Sequence, residues 1–84
     1  MYADVQTVSV LSHGKLAVTF QNGLQGTVLV MPSFYRGVFA HLVDPEEFNK
    51  VRVDNGYVTW PGELDIAPDS MYRAIADNGS FILQ

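Results

Sequence analysis

Apolar and polar positions alternate over the first part of the chain. Val5 to Leu11 is rich in β-branched residues and predicts a strand. A turn at Ser12-His13-Gly14 follows. Lys15-Leu16-Ala17-Val18-Thr19-Phe20 then places Leu16, Val18 and Phe20 on one face and Lys15, Ala17 and Thr19 on the other, the pattern of a half-buried strand. Asn22-Gly23 between two apolar runs predicts a hairpin with a type I′ turn, which needs φ > 0 at both central positions. Leu24 to Val30 completes a three-stranded meander, interrupted by Gly26 as a bulge or a close backbone approach.

The period then changes. Met31-Pro32-Ser33 breaks the sheet, and Phe34, Tyr35, Val38, Phe39 and Leu42 are spaced for short helical turns split by Gly37. Asp44-Pro45-Glu46-Glu47 starts a short helix, with Asp44 as N-cap, Pro45 at the first position and acids at the positive end of the dipole. Alternation returns from Phe48 to Val53, and Asp54-Asn55-Gly56 predicts a second hairpin leading to Tyr57-Val58-Thr59-Trp60. Glu63 to Ala67 reads as an extended connector. Pro68-Asp69-Ser70 opens a last helix over Pro68–Ala76, ended by Asp77-Asn78-Gly79 with a left-handed cap. The expected fold class is α+β. It has one antiparallel sheet of about five strands, made of a three-stranded meander plus a hairpin, with short helical turns and one C-terminal helix. Leu16, Val18, Phe20, Val28, Phe39, Phe48, Val51, Val53, Val58 and Ile75 should supply most of the core.

Composition narrows the functional classes. Eighty-four residues, 48% apolar and 17% charged, fit one domain over residues 1–84 with a real core. Without cysteine, disulfides, thiolate zinc sites and thiol nucleophiles are excluded, and a cytoplasmic setting is expected. No membrane association is expected, because no apolar run reaches the length of a span. Met1-Tyr2-Ala3-Asp4 lacks the basic and apolar regions of a signal peptide. Nine acidic residues face five basic ones, and Lys15, Arg36, Lys50, Arg52 and Arg73 are scattered. A nucleic-acid surface needs clustered positive charge to displace counterions, so no nucleic-acid partner is expected for the chain by itself.

The chemistry-bearing side chains form no recognisable constellation. His13 lies in a turn and reads as solvated, and His41 as partly covered and bonded to backbone. Glu63, Asp65 and Asp69 follow Trp60, an acidic run that could offer oxygen ligands to a divalent cation. Local duties account for it as well: Asp69 at the helix start, Asp65 holding the connector, Glu63 in solvent. The serines include no Gly-x-Ser-x-Gly elbow. No catalytic, cofactor-binding or metal-ligating residue is therefore assigned, and no cofactor is expected. Most aromatics are needed for the core. Tyr35, Tyr57 and Trp60 combine apolar area with a polar tip, the profile of an interface anchor.

Three segments resemble the domain-of-unknown-function (DUF) family 2442, a bacterial family of small domains. Leu16-Ala17-Val18-Thr19-Phe20-Gln21-Asn22-Gly23 is similar to its hairpin motif. Gly37-Val38-Phe39-Ala40-His41-Leu42-Val43-Asp44-Pro45-Glu46-Glu47-Phe48 is similar to its central motif. The stretch from Val58 to Tyr72, with Trp60-Pro61-Gly62 and Pro68-Asp69-Ser70-Met71-Tyr72, is similar to its last. The resemblance spans roughly residues 5 to 76 and leaves 77–84 as a tail. Two departures stand out: a shorter connector at Gly62, and Met71 in place of leucine. The resemblance implies an α+β fold on an antiparallel sheet and a toxin–antitoxin-like pairing with another small protein. No helix-turn-helix of the kind that some longer members append is expected in these residues.

The reading that follows is a non-enzymatic protein-interaction or accessory module, an antitoxin-like partner of another small protein. The alternative is a small-ligand or divalent-metal-binding domain around Trp60, Glu63 and Asp65. The expected interaction surface comprises Tyr35, Tyr57, Trp60, Glu63, Asp65, Phe81, Ile82 and Leu83. The last three form an apolar tail that must either fold back on its own sheet or cover a neighbour's edge, as in a homodimer.

Overall fold

The computed structural model describes residues 4–62 and 64–84. Along the chain these form β1 (Val5–Ser12), β2 (Lys15–Phe20), β3 (Gln25–Val30), 3-10 turns at Pro32–Phe34 and Gly37–Val43, and α1 (Pro45–Phe48). Then follow β4 (Arg52–Asp54), β5 (Tyr57–Trp60), β6 (Leu64–Ile66), α2 (Pro68–Asn78) and β7 (Ser80–Leu83). The fold is α+β, but the single antiparallel sheet is corrected. There is a mixed four-stranded sheet of order β1-β2-β3-β7 and a separate antiparallel sheet of order β4-β5-β6.

Two local causes produce the difference. Gly79 takes the left-handed conformation (φ 82) after α2, and its N–H donates to Ile75 O at 2.8 Å. That cap turns the chain back, so β7 lies parallel to β3 with Thr27 beside Ser80 and Leu29 beside Ile82. A parallel neighbour needs a crossover connection, and the last part of that connection is α2. The tail therefore folds back on its own sheet. The second cause is the turn after Trp60. Leu64–Ile66, expected as a connector, pairs as β6 with β5, Trp60 beside Leu64 and Val58 beside Ile66.

The turns also differ from one another. Asn55 (φ 52) and Gly56 (φ 81) are both left-handed, as a type I′ hairpin requires. The β2–β3 turn is not of this type. There only Gly23 (φ 93) is left-handed, and the loop spans four residues, with Phe20 N–H donating to Leu24 O at 2.8 Å. The Asn22 side chain is spent on other bonds: its Oδ1 accepts from Leu24 N–H at 3.1 Å and its Nδ2 donates to Tyr72 Oη at 2.6 Å. The first hairpin is thereby tied to α2.

One core joins the two sheets. Leu16, Val18, Phe20, Val28, Phe48, Val58 and Ile75 are buried in it as expected, together with Val5, Val30, Leu42, Trp60, Leu64, Ile66 and Met71. Phe39, Val51 and Val53, expected inside, pack only partly buried at its rim. Gly26 is a point of close approach: a Cβ there would lie 2.8 Å from Gly79 O and collide with Ile75. Its bare backbone lets α2 sit directly on β3.

Candidate functional site

α2 covers one face of the four-stranded sheet, and the other face stays open. Antiparallel register sets which side chains the open face carries. Ala17 lies opposite Thr27 and Ser9, and Thr19 opposite Gln25 and Thr7. These alternate with the buried Leu16, Val18 and Val28, so they point away from the core. Over the backbone of Val18 and Gly26 they line an open depression of about 360 Å³ with Ala17, Thr19, Gln25 and Thr27 at its walls. Next to Thr27 on the same face lies Leu29, half-buried, with Ile82 beside it, and at the edge strand β1 Leu11 is exposed; Ile82 and Leu11 are 50% and 54% exposed. The four strands contain a single formally charged residue, Lys15. Hydroxyls, one amide and aliphatic groups on a flat sheet can accept or donate hydrogen bonds and cover apolar surface. Lys15, opposite Leu29 on the same face, is the one charged side chain on these strands, and alone it offers little for proton transfer.

The residues singled out from sequence do not gather on one surface. Trp60 is corrected outright. It is wholly buried, its indole N–H donates to Phe48 O at 2.9 Å, and its ring lies 5.8 Å from that of Phe48. The indole needs an acceptor inside the core, and the end of α1 supplies one, so Trp60 is neither a surface anchor nor the wall of a ligand site. Asp65 is exposed on β6, where its Oδ1 accepts from Thr59 Oγ1. Glu63 lies outside the described residues. Among the described residues no cluster of three or more His, Asp or Glu side chains could hold a metal ion. Tyr57 is 40% exposed on β5. Phe81 and Leu83 are half-buried against the core, and Ile82 points outward between them.

His13 is exposed, as expected of a turn histidine, but it also makes the backbone bond that was expected of His41. His13, expected in solvent, donates from Nε2 to Leu42 O at 3.0 Å, because a carbonyl can only accept. Its ring stacks on Tyr35 at 5.5 Å and meets the edge of Phe48 at 5.1 Å. It joins the β1–β2 turn to the 3-10 segment while remaining exposed on its outer side. Tyr35 Oη is buried beside it with no hydrogen-bond partner, and burial pushes the phenol above its ordinary value. His41, expected to be partly covered, is exposed. No helix among the described residues is long and apolar enough to cross a membrane.

Sequence reasoning missed the open face. The signal was present in the alternation of β2, whose polar positions Lys15, Ala17 and Thr19 are mostly small and uncharged. The model of one protein family, described as "Protein of unknown function (DUF2442)", matches residues 5–77. No curated protein and no solved structure matches the chain.

Proposed function

The chain belongs to the DUF2442 family, whose description carries no activity, and from its surfaces we propose a non-enzymatic interaction module that docks another protein on the open face of the four-stranded sheet. The observation that carries this reading is the near absence of charge from that sheet. In a chain of net charge −4, only Lys15 falls on its four strands, while Leu11 and Ile82 stand exposed at its margins. A solvated face usually carries charges; depletion of charge with apolar groups left in water is the composition of an interface centre. A second small protein, in an antitoxin-like pairing, is the partner that the family resemblance favours. A cytoplasmic setting suits a chain without cysteine.

The test is affinity purification of the tagged chain from its own cells in three forms. A protein recovered with the wild type should be lost with Thr27→Arg, which puts a charge in the centre of the face, and kept with Arg73→Ala on the exposed side of α2. Equal recovery with Thr27→Arg would overturn the reading.

A further inference from the structure

We propose that two copies of this chain join through β7, which pairs antiparallel with β7 of a second copy, so that two four-stranded sheets continue into one. The inference uses the edge of the sheet rather than its face and does not depend on the docking reading above.

The hydrogen-bond phase of β7 defines the edge. Thr27 N–H donates to Gly79 O at 3.2 Å and Met31 N–H to Leu83 O at 2.8 Å. In a parallel ladder this turns the backbone groups of Phe81 and Leu83 towards β3 and those of Ser80 and Ile82 away from it. β7 is an end strand, so the N–H and C=O of Ser80 and Ile82 face outward. Such an edge is a template for another strand unless it is protected.

The two edges of the sheet are treated differently. β1 departs from regular register at both ends, between Val5 and Thr7 and between Val10 and Ser12. Its first residue is also tied to the second hairpin, with Val5 N–H donating to Gly56 O at 2.9 Å. Bulges and coverage of this kind spoil a strand as a template. β7 keeps regular register over all its residues and contains no proline, lysine or other charge.

An uncharged, self-complementary strand fits a second copy as the occupant. Two chains of net charge −4 repel unless they meet where neither carries charge. The side chains of Ser80-Phe81-Ile82-Leu83-Gln84 carry none, and an antiparallel pair about a two-fold axis is self-complementary. Centred on Ile82, it sets Ile82 against Ile82 of the partner subunit on the outer face. On the inner face it sets Phe81 against Leu83 of the partner subunit. The half-exposed Ile82 is thereby covered.

The test is sedimentation equilibrium of the 84-residue chain from about 10 μM to about 1 mM, the range in which a small interface associates. The mass should rise from 9.3 kDa towards twice that value. Ile82→Pro should hold it at the monomer while melting close to the wild type at about 10 μM, where both are monomers, because the deleted N–H points away from β3 and serves only the second copy. If that variant does not fold, Ile82→Lys, which sets like charges face to face, should give the same monomer. A wild type that stays monomeric throughout, or a dimer that persists in either folded variant, would overturn the proposal.

Discussion

The four-stranded sheet and the segment inserted into it distribute charge in opposite ways. Residues 5–30 and 79–84 build β1, β2, β3 and β7 and include one formally charged residue, Lys15. Residues 31–78 hold twelve of the chain's fourteen charged residues, four basic and eight acidic. Both regions feed one core, with Phe20 and Val28 from the first and Phe48 and Trp60 from the second. Charge is therefore not partitioned by folding need. The inserted segment keeps the molecule hydrated, and the sheet is left free to present a face with Lys15 as its one charge and an edge strand with none.

The sharpest way to break the comparison is to show that the regions fold apart. Phe20→Ala and Trp60→Ala, each at a fully buried position, should cost about 3–5 kcal/mol. Each should lower a single cooperative transition seen by both near-ultraviolet and far-ultraviolet circular dichroism. Two transitions, with each substitution moving only one, would mean two independent units.

A smaller effect is expected where α2 of the charged region lies on β3 of the uncharged one. Gly26→Ala sets a methyl group against Ile75 and 2.8 Å from Gly79 O, and should cost about 1–3 kcal/mol by urea unfolding. A neutral result would mean that α2 can lift from the sheet at no cost.

The smallest effect concerns the seam where His13 of the sheet stacks on Tyr35 of the insert. Burial raises the Tyr35 phenol above 10.0 in the folded state. Below that value both states keep the proton. As pH rises past it the unfolded chain ionises first, so stability falls. Tyr35→Phe should leave stability at neutral pH undiminished, since the hydroxyl has no partner to lose, and should flatten the alkaline fall. A clear loss at neutral pH would mean that the hydroxyl is engaged.

Local chemistry was legible in the sequence wherever near neighbours decide it. Asp44 Oδ1 accepts from Glu46 N–H at 2.9 Å, Pro45 and Pro68 open the two helices, and Gly79 closes α2 in the left-handed region. Gly37, expected to split the helical turns, instead opens the second of them, and Tyr35 and Arg36 lie between the two. What depends on distant pairing was not legible. Ser80–Leu83 is too short for its alternation to reveal a parallel partner 53 residues earlier, Thr27 beside Ser80. Trp60 read as amphipathic because the acceptor of its indole N–H is a backbone carbonyl, and Phe48 O leaves no trace in residue types. His13 read as solvated for the same reason: Leu42 O is 29 residues away. The candidate surface was only partly foreseen. Ile82 was named, but the face beside it consists of small residues whose significance lies in the charge they lack.

The central claim is that the docking surface is the nearly charge-free sheet, and ionic strength tests it most directly. With the protein recovered in the purification above, the dissociation constant is measured by titration calorimetry from about 0.05 M to about 0.5 M salt, a range that shortens the screening length about threefold. Contact through the sheet predicts a constant that changes by less than about threefold, because no desolvated charge pair is made there. Weakening by about tenfold or more would place the contact on the charged insert and contradict the account.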